Sequence, residues 1–180
     1  MNVALFGGSF DPPHNGHLEI IDTALKTLDI DKLIVIPAYL NPFKTESAAP
    51  AELRLKWLTL LIDDSRVEVS DFEVNLKRPV PSIESVKHFQ KEGDRLYFII
   101  GADNLEGLPS WYAFEELDKR VTWVVATRND ITIDKKFLSL HVNVPISSTE
   151  IRKKPKIEDL PKKIATSVIN YYKEYHAKTH

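Results

Sequence analysis

The chain has 180 residues, 43 % hydrophobic and 28 % charged, with a net charge of −2 and no cysteine. That composition is ordinary for a globular protein, and it excludes disulfides, thiolate metal sites and cysteine catalysis. Near-neutral charge weighs against nucleic-acid binding, no apolar run approaches the roughly 18 residues that span a membrane, and no signal-peptide pattern opens the chain, so a cytoplasmic location is expected.

Val3–Phe6 is a short apolar run of strand character, leading directly into GGSFDPPHNGHL at residues 7–18. Gly16–Leu28 then sets Leu18, Ile21, Leu25 and Leu28 on one helical stripe. Lys32–Ile36 predicts a second strand. The loop Ala38–Pro50 holds Asn41-Pro42-Phe43-Lys44; loops of about 12 residues are often functional, and this one reads as a flap that carries a lysine to an anion. Ala51–Ile62, rich in Leu and carrying Trp57, predicts a helix, and Val67–Val69 a strand. Ser82–Glu92 predicts a helix capped by Ser82 after Pro81. Leu96–Ile100, Thr122–Ala126 and His141–Val144 predict further strands, with helices over Pro109–Leu117 and Pro161–Tyr175.

This alternation predicts the α/β class: a Rossmann-like, doubly wound, mainly parallel sheet with helices on both faces. One domain is expected over residues 1–180, with a helical segment from about 146 to 180. Continuous β-branched runs suit strands buried on both faces. Ligands of such sheets sit beyond the carboxyl ends of the strands. Gly7–His17, Pro37–Lys44, Gly101–Asp103, Thr127–Arg128 and Ser147–Arg152 are therefore expected to converge. Over 152–180, eight Lys and Arg face three Asp and Glu, read as a solvated helix face, with an anion-attracting rim as the alternative.

A helix N-terminus attracts anions, and Gly7-Gly8 removes bulk where a ligand must approach the backbone. Neither the Walker A pattern nor G-x-G-x-x-G is present. His14 and His17 straddle the helix start, where both rings can turn toward the strand end. Three readings are open for them: contact with phosphate, a metal site with Asp11 as third ligand, or capping of the helix.

Residues 7–18 resemble the H-x-G-H signature of the nucleotidyltransferase superfamily, and the longer string is similar to that of the bacterial nicotinate-nucleotide adenylyltransferases. Four further segments resemble that family in order. Asn41-Pro42-Phe43-Lys44 has Phe43 where His is common. Arg78-Pro79-Val80-Pro81-Ser82-Ile83-Glu84-Ser85 has Ser85 for a final Thr. Gly101-Ala102-Asp103-Asn104-Leu105 with Leu108 and Trp111 resembles the G-A-D-x-L…L-x-x-W pattern, and Ile146-Ser147-Ser148-Thr149-Glu150-Ile151-Arg152 matches I-S-S-T-x-I-R. After Arg128 the family's Pro-Gly is replaced by Asn129-Asp130.

The resemblance implies adenylyl transfer from ATP to nicotinate mononucleotide, giving deamido-NAD and pyrophosphate. It implies that His14, His17 and Arg152 are catalytic. ATP would be held by Gly7, Gly8, Ser9, Phe10, His14, His17, Gly101, Asp103, Ser148, Thr149 and Arg152. The acceptor would meet Lys44, Ser85, Asp103, Trp111, Tyr112 and Arg128, with Trp111 stacking on the nicotinate ring. Mg²⁺ is expected through the ATP phosphates, with no protein metal site. Pantetheine-phosphate adenylyltransferase is the close rival; Gly101–Asp103 with Trp111 weighs against it. A non-catalytic nucleotide sensor is the other alternative, opposed by the intact His14, His17 and Arg152. A nucleic-acid module built on the basic tail lacks interleaved aromatic and basic residues.

Overall fold

The computed structural model describes residues 1–127 and 132–179. Six strands, β1 (Asn2–Gly8), β2 (Lys32–Pro37), β3 (Val67–Val69), β4 (Arg95–Gly101), β5 (Val121–Thr127) and β6 (Leu138–His141), form one sheet in the order β3-β2-β1-β4-β5-β6. Every neighbouring pair is parallel. The helices are α1 (Asn15–Thr27), α2 (Ala51–Leu61), α3 (Phe72–Leu76), α4 (Ser82–Phe89), α5 (Phe114–Arg120), α6 (Ser148–Lys153) and α7 (Lys162–Thr179).

The two-residue period of the strands sorts their side chains onto two faces. Ala4, Phe6, Leu33, Val35, Tyr97, Ile99 and Val124 pack with Ile21 and Ala24 of α1 and Leu58 of α2. Val3, Leu5, Ile34, Ile36, Phe98, Ile100, Trp123 and Val125 pack instead with Ile83 and Val86 of α4 and Leu117 of α5. Both faces are covered, which is why the strand sequences are apolar without alternation. A third cluster joins Ala49, Trp57, Ile151, Leu160, Ile164, Val168 and Tyr172, seating α7 against α2. The lysines of the basic C-terminal stretch, Lys153, Lys154, Lys162, Lys163 and Lys173 among them, lie exposed on the outer side, as the solvated-face reading expects.

Four local expectations are corrected. The last strand runs over Leu138–His141 rather than His141–Val144; its register places Leu140 opposite Ala126 and His141 opposite Thr127, and beyond it only Val142 adds a bond, to Thr127 O. The helix expected over Pro109–Leu117 is a 3-10 turn, Leu108–Ser110, followed by α5. Ala113 at its start has φ 54°, which interrupts the helical path. Ser82 is the first helical residue of α4 and does not cap it; Pro81 occupies the cap position without a side-chain bond. The short helix α3 was not anticipated, its five residues being too few to show a period.

The chain leaves β1 toward β2 and β3, then returns to β4 on the other side of β1. Strand order therefore reverses between β1 and β4, and a crevice opens above their carboxyl ends.

Candidate active site

That crevice is a cleft of about 900 Å³. It is lined by Gly7–Phe10, His14 and His17, with Ser148, Thr149 and Arg152 bonded around the same first loop, and by a second group, Glu73 with Ser85 on α3 and α4 and Trp111 and Tyr112 beyond β4. Gly101 and Asp103, after β4, and Lys44, from the loop after β2, complete the lining. The convergence expected from the strand ends is thus present in four of its five segments, and every sequence-derived site residue lines the cleft except Arg128, which lies outside the described residues.

The first loop is built around the two histidines. His14 is the N-cap of α1, and its Nδ1 accepts from Gly16 N at 3.0 Å. His17 Nδ1 accepts in turn from His14 N at 3.1 Å. The rings stack with centroids 3.7 Å apart, and Phe10 sets its edge against His17 at 4.8 Å. A neutral imidazole whose Nδ1 accepts carries its proton on Nε2. Of the three readings, capping of the helix is the one these bonds show, and it leaves phosphate contact through Nε2 compatible with the same geometry. Phe10 itself has φ 49°, a left-handed conformation unfavourable for an aromatic residue, held by burial of its ring.

Gly16 is set by close approach: a Cβ there would lie 2.9 Å from His14 Cε1 and Nδ1. Because the His14 ring is buried, it cannot swing away freely. Gly16→Ala is expected to displace the ring, losing about 1 kcal/mol of capping and lowering kcat about tenfold or more. A melting curve together with steady-state turnover checks this; wild-type values for both would show that the ring tolerates the methyl group.

The Asp11 carboxylate is engaged within the protein. Buried, it accepts from Ala48 N at 2.8 Å, Ala49 N at 3.0 Å and the Tyr172 hydroxyl. It thereby ties the first loop to the end of the flap and to α7. Burial, followed by the Asp11 charge, pushes the Tyr172 hydroxyl above its ordinary range. Among the described residues no group of three or more His, Asp and Glu stands together to hold a metal ion.

Arg54, unremarked in the sequence, is fully buried on α2. Its guanidinium donates to the carbonyls of Ser9, Ala38, Tyr39 and Ala49. Four acceptors match the planar fork, so the charge is solvated by backbone and holds the turns after β1 and β2 together. Burial nevertheless holds it below the ordinary arginine range, with Asp11 opposing that shift.

At the opposite wall Ser147 caps α6, accepting from Glu150 N, while Ser148 Oγ donates to Pro12 O at 3.0 Å. Arg152 donates to Asp11 O at 2.6 Å and to Thr149 Oγ1 at 3.1 Å. The far end of the chain is thus fastened to the first loop. Lys44 Nζ donates to Ser9 Oγ at 3.2 Å. Burial and then the Arg152 charge hold the Lys44 ammonium below its ordinary range. Two cations thus face the same cleft.

Trp111 is half-buried; it packs on Phe98 and Trp123 and lies 6.4 Å from the ring of Phe43. Phe43 is 67 % exposed, so the flap presents an aromatic edge toward Trp111. Ser85 is buried on α4 and Asp103 is exposed after β4, with Gly101 rather than Asp103 at the start of the 3-10 turn. Glu73 was missed by sequence reasoning because no pattern marks a single carboxylate on a five-residue helix.

A family model described as cytidylyltransferase-like matches residues 5–154. A protein of Sulfurimonas denitrificans named "Probable nicotinate-nucleotide adenylyltransferase" is 50 % identical over 178 residues, covering 98 % of both chains. One of the same name from Campylobacter fetus is 50 % identical over 181 residues, covering 99 % of this chain and 100 % of its own. Among solved structures, Plasmodium falciparum nicotinic acid mononucleotide adenylyltransferase complexed with NaAD aligns over 97 % of each chain with a TM-score of 0.75 and 23 % identity, a likeness of fold. With its histidine-capped first turn, its Ser-Ser-Thr…Arg wall and full-length relatives at half identity, the chain belongs to the cytidylyltransferase-like family and, within it, to the nicotinate-nucleotide adenylyltransferases.

Proposed function

We propose that the chain transfers the adenylyl group of ATP to nicotinate mononucleotide, giving deamido-NAD and pyrophosphate in NAD biosynthesis. The observation that carries this reading is the divided cleft: donors and cations on one side, an aromatic and hydroxyl pocket on the other. A relative of the same fold is complexed with NaAD, the product of such a transfer.

The acceptor phosphate oxygen attacks the α-phosphorus of ATP, and the bond to the bridging oxygen of pyrophosphate breaks. The attacking oxygen is already ionised at neutral pH and the leaving oxygen departs as an ionised oxygen of pyrophosphate, so no general base and no covalent enzyme intermediate are needed. Catalysis consists of in-line positioning and neutralisation of charge moving onto pyrophosphate. The Gly7–Phe10 backbone and the Nε2–H groups of His14 and His17 hold the triphosphate from one side. Ser148, Thr149 and Arg152 hold it from the other, and Gly101 and Asp103 meet the nucleoside. Lys44 takes the acceptor phosphate, Ser85 and the Tyr112 backbone take the nicotinate carboxylate, and Trp111 stacks on the ring. Arg128 is assigned to a phosphate on sequence resemblance alone. Apart from the separate carboxylates of Glu73 and Asp103, the polar side chains lining the cleft are imidazole, amide, hydroxyl and cationic groups, so Mg²⁺ would be carried by triphosphate oxygens rather than by a protein cage. When bound it supplies further charge neutralisation on those oxygens.

Pyrophosphate release is expected with ATP and nicotinate mononucleotide, with less from nicotinamide mononucleotide and none from phosphopantetheine. Turnover of phosphopantetheine in preference would overturn the acceptor assignment. Trp111→Ala is expected to raise KM for nicotinate mononucleotide about tenfold with little change in KM for ATP. An effect confined to the melting temperature would make Trp111 a packing residue only.

A further inference from the structure

Glu73 is the carboxyl group of the acceptor half that the roles above leave unused. It is 7 % exposed, and Ser85, 1 % exposed, donates Oγ–H to Glu73 Oε1 at 2.6 Å. Both side chains line the cleft. Burial pushes the Glu73 carboxyl up to about 7, against the lowering effect of the Ser85 bond and with a smaller push from Glu84.

Ser85 has one hydrogen to give. An ionised Glu73 only accepts, so it claims that hydrogen, and Ser85 Oγ then offers the cleft lone pairs alone. It also puts a negative charge beside any incoming carboxylate. A neutral Glu73 donates its own O–H to Ser85 Oγ, which releases the Ser85 hydrogen to point at the cleft. The first state suits the NH₂ of a carboxamide; the second suits a carboxylate.

We infer that Glu73 is a positioning residue that sets Ser85 to receive a carboxylate-bearing acceptor, and that this acceptor binds with Glu73 neutral. The inference rests on the reading that Ser85 meets the nicotinate carboxylate. One proton passes from solvent to Glu73 when the ionised free enzyme binds that acceptor, and Ser85 keeps its own hydrogen. Several charged groups on the surrounding elements have partners of their own. On α4, Glu84 pairs with Arg78 at 2.6 Å, Lys87 pairs with Glu116, and His88 stacks on Phe72. On α2, Arg54 is bonded to four carbonyls, and Glu52 and Lys56 share that helix. On β2, Lys32 pairs with Glu68. Asp71 and Lys77 flank α3 itself, and Lys44 reaches the cleft from the flap.

The sign follows from the linkage. Below about pH 7 the free enzyme already holds the proton, and acceptor affinity is independent of this group. Above it, each pH unit adds a tenfold penalty to carboxylate binding. The experiment measures KM for nicotinate mononucleotide and Ki for nicotinamide mononucleotide as a competitor, on the full chain from pH 6 to 9. Both ligands carry the same phosphate, so its titration cancels in the ratio. The KM/Ki ratio is expected to rise about tenfold per unit above about pH 7 while KM for ATP stays flat. In Glu73→Gln, whose amide donates to Ser85 Oγ at every pH, the ratio is expected to be flat. A flat ratio in the wild type overturns the inference, as does a Glu73→Gln profile equal to that of the wild type. Should Glu73→Gln fail to fold, calorimetry of the wild type at pH 8.5 in buffers of different ionisation heat decides. Uptake of close to one proton per nicotinate mononucleotide supports the inference and zero uptake overturns it. Absence of any turnover or binding of nicotinate mononucleotide would instead defeat the proposed function, a result distinct from a flat ratio.

Discussion

Replacing His17 with Ala is expected to lower kcat by about 10²–10³-fold while KM for nicotinate mononucleotide changes little. His17 makes two contributions that the variant removes together. Its Nδ1 accepts from His14 N and its ring stacks on His14, so truncation also loosens the neighbouring donor. On the proposed function its Nε2–H meets the triphosphate, where charge grows as pyrophosphate leaves, and a contact that strengthens in the transition state acts on kcat rather than on acceptor binding. His17→Gln separates the contributions, because a Gln side chain at this position can accept from the N-cap backbone. It is expected to restore the melting temperature and leave kcat well below wild type. Full turnover in His17→Ala would remove the phosphate role. Full recovery in His17→Gln would reduce the residue to a cap.

The largest loss of stability is expected at Asp11. Asp11→Ala strands two backbone N–H groups and the Tyr172 hydroxyl in the interior, and it removes a negative charge that favours buried Arg54. Groups left unpaired in this way cost about 1–3 kcal/mol each, less where the structure relaxes, so a loss of about 3–5 kcal/mol is expected. For a chain of this size that corresponds to roughly 10 °C or more in melting temperature. Tyr172→Phe removes one donor and leaves the carboxylate bonded to Ala48 and Ala49, so about 1 kcal/mol is expected. Urea titrations of both variants check the order. An Asp11→Ala chain as stable as Tyr172→Phe would mean that the loop, flap and α7 are held by packing alone.

The two variants separate what the first turn does chemically from what holds it in place. His14 and His17 face the cleft, whereas Asp11, five residues from Phe6 and three from His14, faces away and binds α7. Arg152 links the two functions, with its guanidinium on Asp11 O and its own carbonyl bonded to the ring of His176 on α7. The anion wall is therefore carried by the C-terminal helices, which hold their place through the cluster around Trp57 and Tyr172.

Much of this was legible in the residues. Strand positions β1, β2, β3, β4 and β5 follow from β-branched runs, because strands covered on both faces need no polar alternation. The start of α1 was marked by its histidines and the end of β1 by Gly7-Gly8. Expectations failed where a local pattern had two solutions. The hydrophobic residues from 138 to 144 allow several registers, and pairing with β5 chose one. The stretch from Pro109 to Leu117 reads as one helix until Ala113 turns left-handed.

The sequence by itself determined the class of fold, the handover from strand to histidine-capped helix, and most of the residues that meet in the cleft. The first two depend on short-range periodicity and residue chemistry; the third depends on the rule that parallel strands present their carboxyl ends together and on the resemblance of the motifs to a known family. Only the tertiary structure decided what the buried charges do. Asp11 finds its partners 37, 38 and 161 residues away, and Glu73 meets Ser85 across 12. A carboxylate's role is set by the water it loses and the donors it gains, and both are fixed only when distant segments close around it.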